Sequence, residues 1–229
     1  MHGVKNKPLW AHVLPFVVFM LFLVLDSVVG TVFQDSGWRW LAQPKYWIYP
    51  LQTVVCAGLV IWFWKEYDFG SVRAWPLGVL VGLVVLGLWI SPQEVFGFPL
   101  RTSGFNPDLF VDNPTIYWLN LLARFTRMAI VVALVEEIFW RGFVMRYLIN
   151  EDFKKVPFGT YAPVSFFGVA ILFMLEHGMV DWPAALVTGL LYNALAVRTK
   201  SLWACVIAHG VTNFGLGIYT VATKQWGFW

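Results

Sequence analysis

The chain has 229 residues, of which 59% are hydrophobic and only 13% are charged, and its mean hydropathy is +0.66. This composition is too apolar for a soluble domain and predicts a protein with several membrane-spanning helices. The formal net charge is only +3, and the basic residues lie in short connections, so nucleic acid is not an expected partner. Cys56 and Cys205 both fall in apolar segments, which predicts neither a disulfide framework nor a thiolate metal cluster.

Apolar segments follow one another along the chain. Lys5 and Lys7 precede the first, which we interpret as an uncleaved span from Leu9 to about Gly30 because it lacks a clear small-residue cleavage site. The segment 91–114 contains clustered proline and glycine and is expected to be an extramembrane loop. Further spans are predicted at about 46–64, 76–90, 116–149, 163–179, 183–197 and 202–221.

The segment 116–149 is the longest predicted helix and has no internal proline. It would measure roughly 50 Å, which exceeds one membrane thickness, so we expect it to bend, to break into two, or to place Arg124 and Arg127 at the interface. The fold class predicted is all-α, a polytopic membrane helical bundle of about seven to eight transmembrane helices. Basic residues are more frequent in the connections on the side of the N-terminus, which predicts an inside N-terminus and an outside C-terminus.

Two carboxylates and an arginine lie inside the segment 116–149. Ionisable groups at membrane depth are costly and are kept mostly where they have partners or a function. Glu137 and Arg141 are four residues apart and can pair on one helix face. Glu136 points about 100° away and needs another partner or a water-filled cavity. An arginine clip that only fixes helix packing is the alternative interpretation of this stretch.

Later spans bring His177, His209 and Asn213 into apolar surroundings. The depth of each group can be expressed as its distance along the helix axis from the helix end on the inner side of the membrane. This distance is ~20 Å for Glu136, ~21 Å for His177, ~11 Å for His209 and ~17 Å for Asn213. The four side chains can therefore reach one layer in the middle to inner half of the bilayer and share a cavity. A carboxylate with a neutral imidazole can take a proton from water, and a second imidazole with an amide can donate to a developing oxyanion. This set of groups is suited to hydrolysing an amide without a covalent intermediate.

Three motifs in this region resemble those of the CPBP family, which comprises CAAX proteases and bacteriocin-processing (Abi) proteins. The chain matches EExxxR with Glu136, Glu137 and Arg141, FxxxH with Phe173 and His177, and HxxxN with His209 and Asn213. The motifs extend from about Leu119 to Phe214. A closer likeness is to the bacterial CAAX prenyl protease-related proteins of exosortase and PEP-CTERM systems, in the passages 137–146, 151–158, 175–178, 197–203 and 222–229.

The resemblance implies an intramembrane glutamic-type endopeptidase without metal or cofactor. Glu136 and His177 would activate water, and His209 with Asn213 would bind the oxyanion. Glu137 and Arg141 would brace the helix, Phe173 would support the site, and either glutamate could be the base.

The resemblance also sets expectations for organisation and partners. Residues 1–115 would form N-terminal spans and a loop without a recognised motif, and residues 116–229 the catalytic helical core. The expected setting is the bacterial inner membrane, as a multi-pass protein. The expected partners are the lipid bilayer, a membrane-associated protein or peptide substrate, and exosortase-type sorting components.

Four alternatives stay open on the sequence. Glutamate and two histidines could bind zinc in a metalloprotease, although HExxH is absent and Glu176 is expected to point away from His177 on a helix. Cys205 and His209 are four apart and could serve a thiol protease. The chain could also be a non-catalytic membrane partner or chaperone of a sorting system. A proton-coupled transporter is the fourth alternative, although no inverted repeat is evident.

Overall fold

The computed structural model describes residues 7–229, so Lys5 lies outside the described residues. Every regular element in this range is helical. The α-helices are α1 (Lys7–Val32), α2 (Arg39–Ala42), α3 (Lys45–Trp62), α4 (Trp75–Glu94), α5 (Pro114–Thr126), α6 (Ala133–Phe139), α7 (Met145–Tyr147), α8 (Pro163–Glu176), α9 (Trp182–Thr199) and α10 (Leu202–Thr223). Two π-helical segments, Arg127–Val132 and Trp140–Val144, join α5 to α6 and α6 to α7.

Four helical segments are long and apolar enough to cross a membrane: Lys7–Val32, Val72–Glu94, Met179–Thr199 and Leu202–Thr223. The helix Pro163–Glu176 is apolar but shorter. The predicted all-α membrane bundle is therefore confirmed.

Helix α4 continues past its predicted end at Ile90 and includes Pro92. Proline has no backbone N–H, so it cannot donate to the carbonyl four residues earlier. The Ser91 hydroxyl donates to that carbonyl, Leu88 O, at 2.9 Å. The Val95 amide then donates to Ser91 O at 2.8 Å. The freed acceptor is thus satisfied locally, and the helix persists for another turn.

The predicted segment 116–149 is one unbroken helix from residue 114 to residue 147, which we call the long helix. Asn113 caps its start by accepting from the Ile116 amide at 3.2 Å, and the backbone stays right-handed at every junction with the π-helical segments. Arg124 and Arg127 are buried inside the protein, and their side chains are not exposed at the interface between membrane and water. The Arg127 Nε donates to Gln52 Oε1 at 2.7 Å, because α3 packs against this part of the long helix.

The closest packing of the bundle joins α4 to α10. A Cβ atom on Gly78 would lie 2.7 Å from Ala204 O, and one on Gly82 would lie 2.5 Å from Ala208 O. Only glycine lets the two backbones approach this closely. The third predicted span therefore packs directly against the last helix of the predicted catalytic core. The predicted division of the chain at residue 115 stays a prediction.

Candidate active site

A fully buried ion pair lies in the C-terminal half of the long helix. Arg141 Nη1 donates to Glu137 Oε1 at 2.9 Å, and neither side chain is exposed. The four-residue spacing brings the two groups onto one helix face. Removing either partner would leave an uncompensated charge in the interior, so the pair holds both side chains in fixed positions.

Arg141 connects the long helix to two neighbouring helices. Its Nε donates to Asn193 Oδ1 at 3.1 Å, and its Nη2 donates to Gly189 O at 3.4 Å, both on α9. The guanidinium carbon also lies 4.9 Å from the centroid of the Phe173 ring on α8 and 5.3 Å from that of Tyr192 on α9. Phe173 therefore packs against Arg141, whose charge interacts favourably with the face of the ring.

The same glutamate orients His209 from α10. His209 Nδ1 lies 2.9 Å from Glu137 Oε1. An ionised carboxylate only accepts, so Nδ1 carries the proton of this hydrogen bond. The other ring nitrogen, Nε2, is thereby left for a different partner. Tyr192, whose ring centroid is 5.7 Å from that of His209, packs beside the imidazole.

His177 lies just beyond the C-terminal end of α8, because that helix ends at Glu176. The backbone of His177 is extended, with φ −91° and ψ 161°. Its Nδ1 lies 2.8 Å from Phe173 O, a terminal helix carbonyl that needs a donor. A carbonyl only accepts, so Nδ1 again carries the proton and Nε2 is the free ring nitrogen. Glu176 and His177 are therefore not successive residues of one helix, contrary to the sequence prediction.

Asn213 is held by the first π-helical segment. Its Nδ2 donates to Met128 O at 2.9 Å. A π-helical turn disrupts the regular hydrogen-bond ladder, and such turns are frequent at functional sites. The amide has a second N–H that this bond does not use. Asn213 can therefore offer a donor while its side chain stays anchored.

Four of the predicted catalytic residues line one cavity of about 210 Å³: Glu136, His177, His209 and Asn213. Glu137, the fifth, is fully buried behind His209 and does not line it. The two adjacent glutamates thus differ in surroundings, since Glu136 reaches the cavity whereas Glu137 is bound to Arg141 and His209.

The wall of the cavity also contains residues that were not predicted. Arg101 in the loop after α4 pairs with Asp181 at 2.6 Å and lies 4.5 Å over the Phe228 ring. The Gly227 amide donates to Arg101 O at 2.8 Å. These groups lie far apart in sequence, and only the fold brings them together. Asn193, the partner of Arg141, was also not predicted. It is a lone amide within an apolar helix, and the cost of burying such a group could have identified it from the sequence.

The geometry is informative about two of the alternatives, the thiol protease and the zinc metalloprotease. Cys205 is fully buried and does not line the cavity, and its Sγ lies 3.7 Å from both Tyr192 O and Ser201 O. The thiol is therefore directed at backbone carbonyls and away from the reaction space. Within residues 7–229, no group of three or more histidine, cysteine, aspartate or glutamate side chains is arranged to hold a metal ion.

Comparison with protein-family models matches residues 118–215 to the family described as Rce1-like, type II CAAX prenyl endopeptidase Rce1-like. No curated protein and no solved structure matches the chain. The matched segment runs from the long helix to α10 and includes all three motifs. In residues 118–215 the chain is therefore similar to the Rce1-like family of type II CAAX prenyl endopeptidases, and the predicted resemblance to the CAAX proteases is confirmed.

Proposed function

We propose that the protein is an intramembrane endopeptidase of the glutamic type. The observation that carries the proposal is the common cavity of Glu136, His177, His209 and Asn213. Both imidazoles have their Nδ1 atoms bound to acceptors, so both Nε2 atoms are free for the reaction. Preorganised groups of this kind need little rearrangement when the transition state forms.

Glu136 and His177 are the proposed water-activating groups. The water oxygen attacks the carbonyl carbon of the scissile peptide bond while its proton passes to Glu136, with His177 Nε2 accepting a hydrogen bond from the same water. The tetrahedral intermediate then loses its C–N bond, and Glu136 returns the proton to the departing amine. The products are a carboxylic acid, which then releases its proton to solvent, and a free amine, and the protein is unchanged.

His209 and Asn213 are the proposed oxyanion donors. Asn213 offers the amide N–H that is not used by Met128 O. His209 can donate from Nε2 only as an imidazolium, because its Nδ1 proton is held by Glu137. Glu137 then orients and stabilises this charged ring, and Arg141 holds Glu137 in position.

The proposed substrate is a membrane-associated protein or peptide. Aromatic side chains of Trp89, Phe173 and Phe228 line the cavity beside the polar groups, which suits an apolar segment of the substrate. The proposed location, from the sequence resemblance, is the bacterial inner membrane as a multi-pass protein. The proposed orientation, from the distribution of basic residues, is an inside N-terminus. An association with exosortase-type sorting components is proposed from the sequence resemblance alone.

The test is complementation of a deletion strain with the wild type, Glu136→Gln or His177→Ala at matched membrane abundance. Loss of the general base should reduce cleavage by a factor on the order of 10²–10⁴, so the uncleaved substrate should accumulate. Glu151→Gln, which makes the same chemical change at an exposed position, is the control and should complement fully. Full complementation by both site variants would instead identify the protein as a non-catalytic membrane partner.

A further inference from the structure

Polar contacts join four segments at one end of the bundle, which we call the first face. Glu66, in the connection after α3, pairs with Lys7 at the start of α1 at 2.9 Å. The backbone carbonyl of Glu66 accepts from Lys154, in the connection before α8, at 2.7 Å. The Ser201 hydroxyl, before α10, donates to Ser71 O at 2.7 Å. These segments therefore lie together on one side.

The remaining connections meet in the same way, on what we call the second face. Arg101, in the loop after α4, pairs with Asp181 before α9 at 2.6 Å. Lys224, after α10, pairs with Asp108 of that loop at 2.9 Å. Arg39 donates to a backbone carbonyl of the same loop. Successive connections thus alternate between two opposite faces, as in an up-and-down helix bundle.

The candidate active-site cavity reaches the second face. Its wall includes Arg101, Asp181 and residues 227–229, all from the connections of that face. The side chains of Arg101 and Asp181 are 15% and 22% exposed, so this part of the wall is accessible from outside the protein. Among the described residues, none from the connections of the first face lines the cavity. The second face therefore offers the way in.

Packed side chains separate the cavity from the first face. The long helix, α8, α9 and α10 contribute to the cavity wall the residues Glu136, Phe173, Tyr192 and His209. About one helical turn nearer to the first face, each of these helices carries a fully buried residue: Arg141, Val169, Ala196 and Cys205. This buried layer closes the cavity on that side.

The basic residues assign the two faces to the two sides of the membrane. The connections and helix starts of the first face contain Lys7, Lys65, Arg73, Lys154, Lys155 and Lys200, whereas those of the second contain Arg39, Lys45, Arg101 and Lys224. Lysine and arginine are in excess in cytoplasmic connections. In the proposed orientation the first face is therefore the inner face, and the second is the outer face.

We propose that the candidate active site opens to the outer face of the membrane, and that its substrate is the membrane-proximal segment of an exported protein anchored in the same bilayer. A segment on that side reaches Glu136 past Arg101 and Asp181, whereas a cytoplasmic segment would meet the buried layer. The substrate class rests on the proposed function, but the direction of the opening does not.

Cysteine accessibility in spheroplasts measures the direction of the opening. In the full chain with Cys56→Ala and Cys205→Ala, one cysteine is placed in the cavity wall, either as Thr188→Cys on α9 or as Leu216→Cys on α10. The membrane-impermeant thiol reagent MTSET is added outside. After the reagent is removed and the protein is denatured, biotin maleimide reports the thiols that did not react.

Two exposed positions serve as controls, Asp112→Cys on the second face and Glu151→Cys on the first. Asp112→Cys should lose its biotin labelling in intact spheroplasts, and Glu151→Cys should lose it only after the membrane is permeabilised. Thr188→Cys and Leu216→Cys should behave like Asp112→Cys. The two cavity positions lie on different helices, so if one variant fails to accumulate in the membrane, the other decides.

Three results would overturn the proposal. The cavity cysteines could react only after permeabilisation or not at all, or the two controls could show the reverse pattern. For the substrate class, the uncleaved protein that accumulates with Glu136→Gln should be shortened by proteinase K added outside, and resistance until lysis would contradict it. Labelling needs no turnover, so it reports the opening even if the complementation test excludes a protease.

Discussion

Replacement of Arg141 by methionine tests whether the buried ion pair stabilises the bundle as the contacts indicate. The variant leaves Glu137 fully buried with His209 as its remaining partner. Breaking a buried pair from one side costs about 3–5 kcal/mol. The lost bonds to Asn193 and to Gly189 O add about 1 kcal/mol each. We therefore expect the free energy of unfolding to fall by about 5–7 kcal/mol.

The double variant Glu137→Gln/Arg141→Met separates the charge from the packing. With both charges removed, the uncompensated carboxylate is absent, and replacing a buried pair by neutral groups is often close to neutral. The double variant should recover at least about 2 kcal/mol relative to Arg141→Met alone. Reversible unfolding by SDS in mixed micelles, followed by far-UV circular dichroism, measures these differences.

The control for this cycle is Arg198→Met, which makes the same change at an exposed position of α9. It should alter the free energy of unfolding by less than about 0.5 kcal/mol. Equal stability losses in Arg141→Met and in the double variant would refute the reasoning. The arginine would then contribute through its shape and hydrogen bonds, and its charge would be immaterial.

Two other variants test the packing of the bundle and the unused thiol. Gly82→Ala should destabilise the protein by about 1–3 kcal/mol in the same unfolding assay, because its Cβ would meet Ala208 O at 2.5 Å. Gly87→Ala on the same helix meets nothing within 4 Å and should be neutral or slightly stabilising. Cys205→Ala should leave complementation unchanged, because the Sγ points away from the cavity; loss of function at wild-type abundance would restore the thiol mechanism.

Much of the architecture follows from apolar patterning. A segment long and apolar enough to span the bilayer satisfies its own backbone hydrogen bonds only as a helix, so composition and length indicate the bundle. The residues at which the helices end depend on local hydrogen bonds that the apolar pattern does not show. Ser91 compensates for Pro92 and extends α4, and the π-helical segments let the long helix continue without a break.

The candidate site likewise has features that the sequence predicts and features that depend on packing. The spacing of Glu137 and Arg141 suffices to predict their pairing, because residues four apart share a helix face whatever surrounds them. Which glutamate reaches the cavity depends on the rotation of the long helix against α8, α9 and α10. Glu136 therefore differs from Glu137 through packing alone, although the two are chemically identical and adjacent.

Composition and apolar patterning are enough to predict an apolar helical bundle, and they single out the polar residues that are costly to bury and hence candidates for function. The partners of those residues depend on how the helices pack. The end of α8 at Glu176 turns His177 out of the helix, and Trp140 on the long helix donates a hydrogen bond to Glu176. Arg101 and Asp181 meet at the cavity wall although they are far apart in the sequence. Contacts of this kind arise from the packing of helices that are distant in sequence. The periodicity of one segment does not predict them.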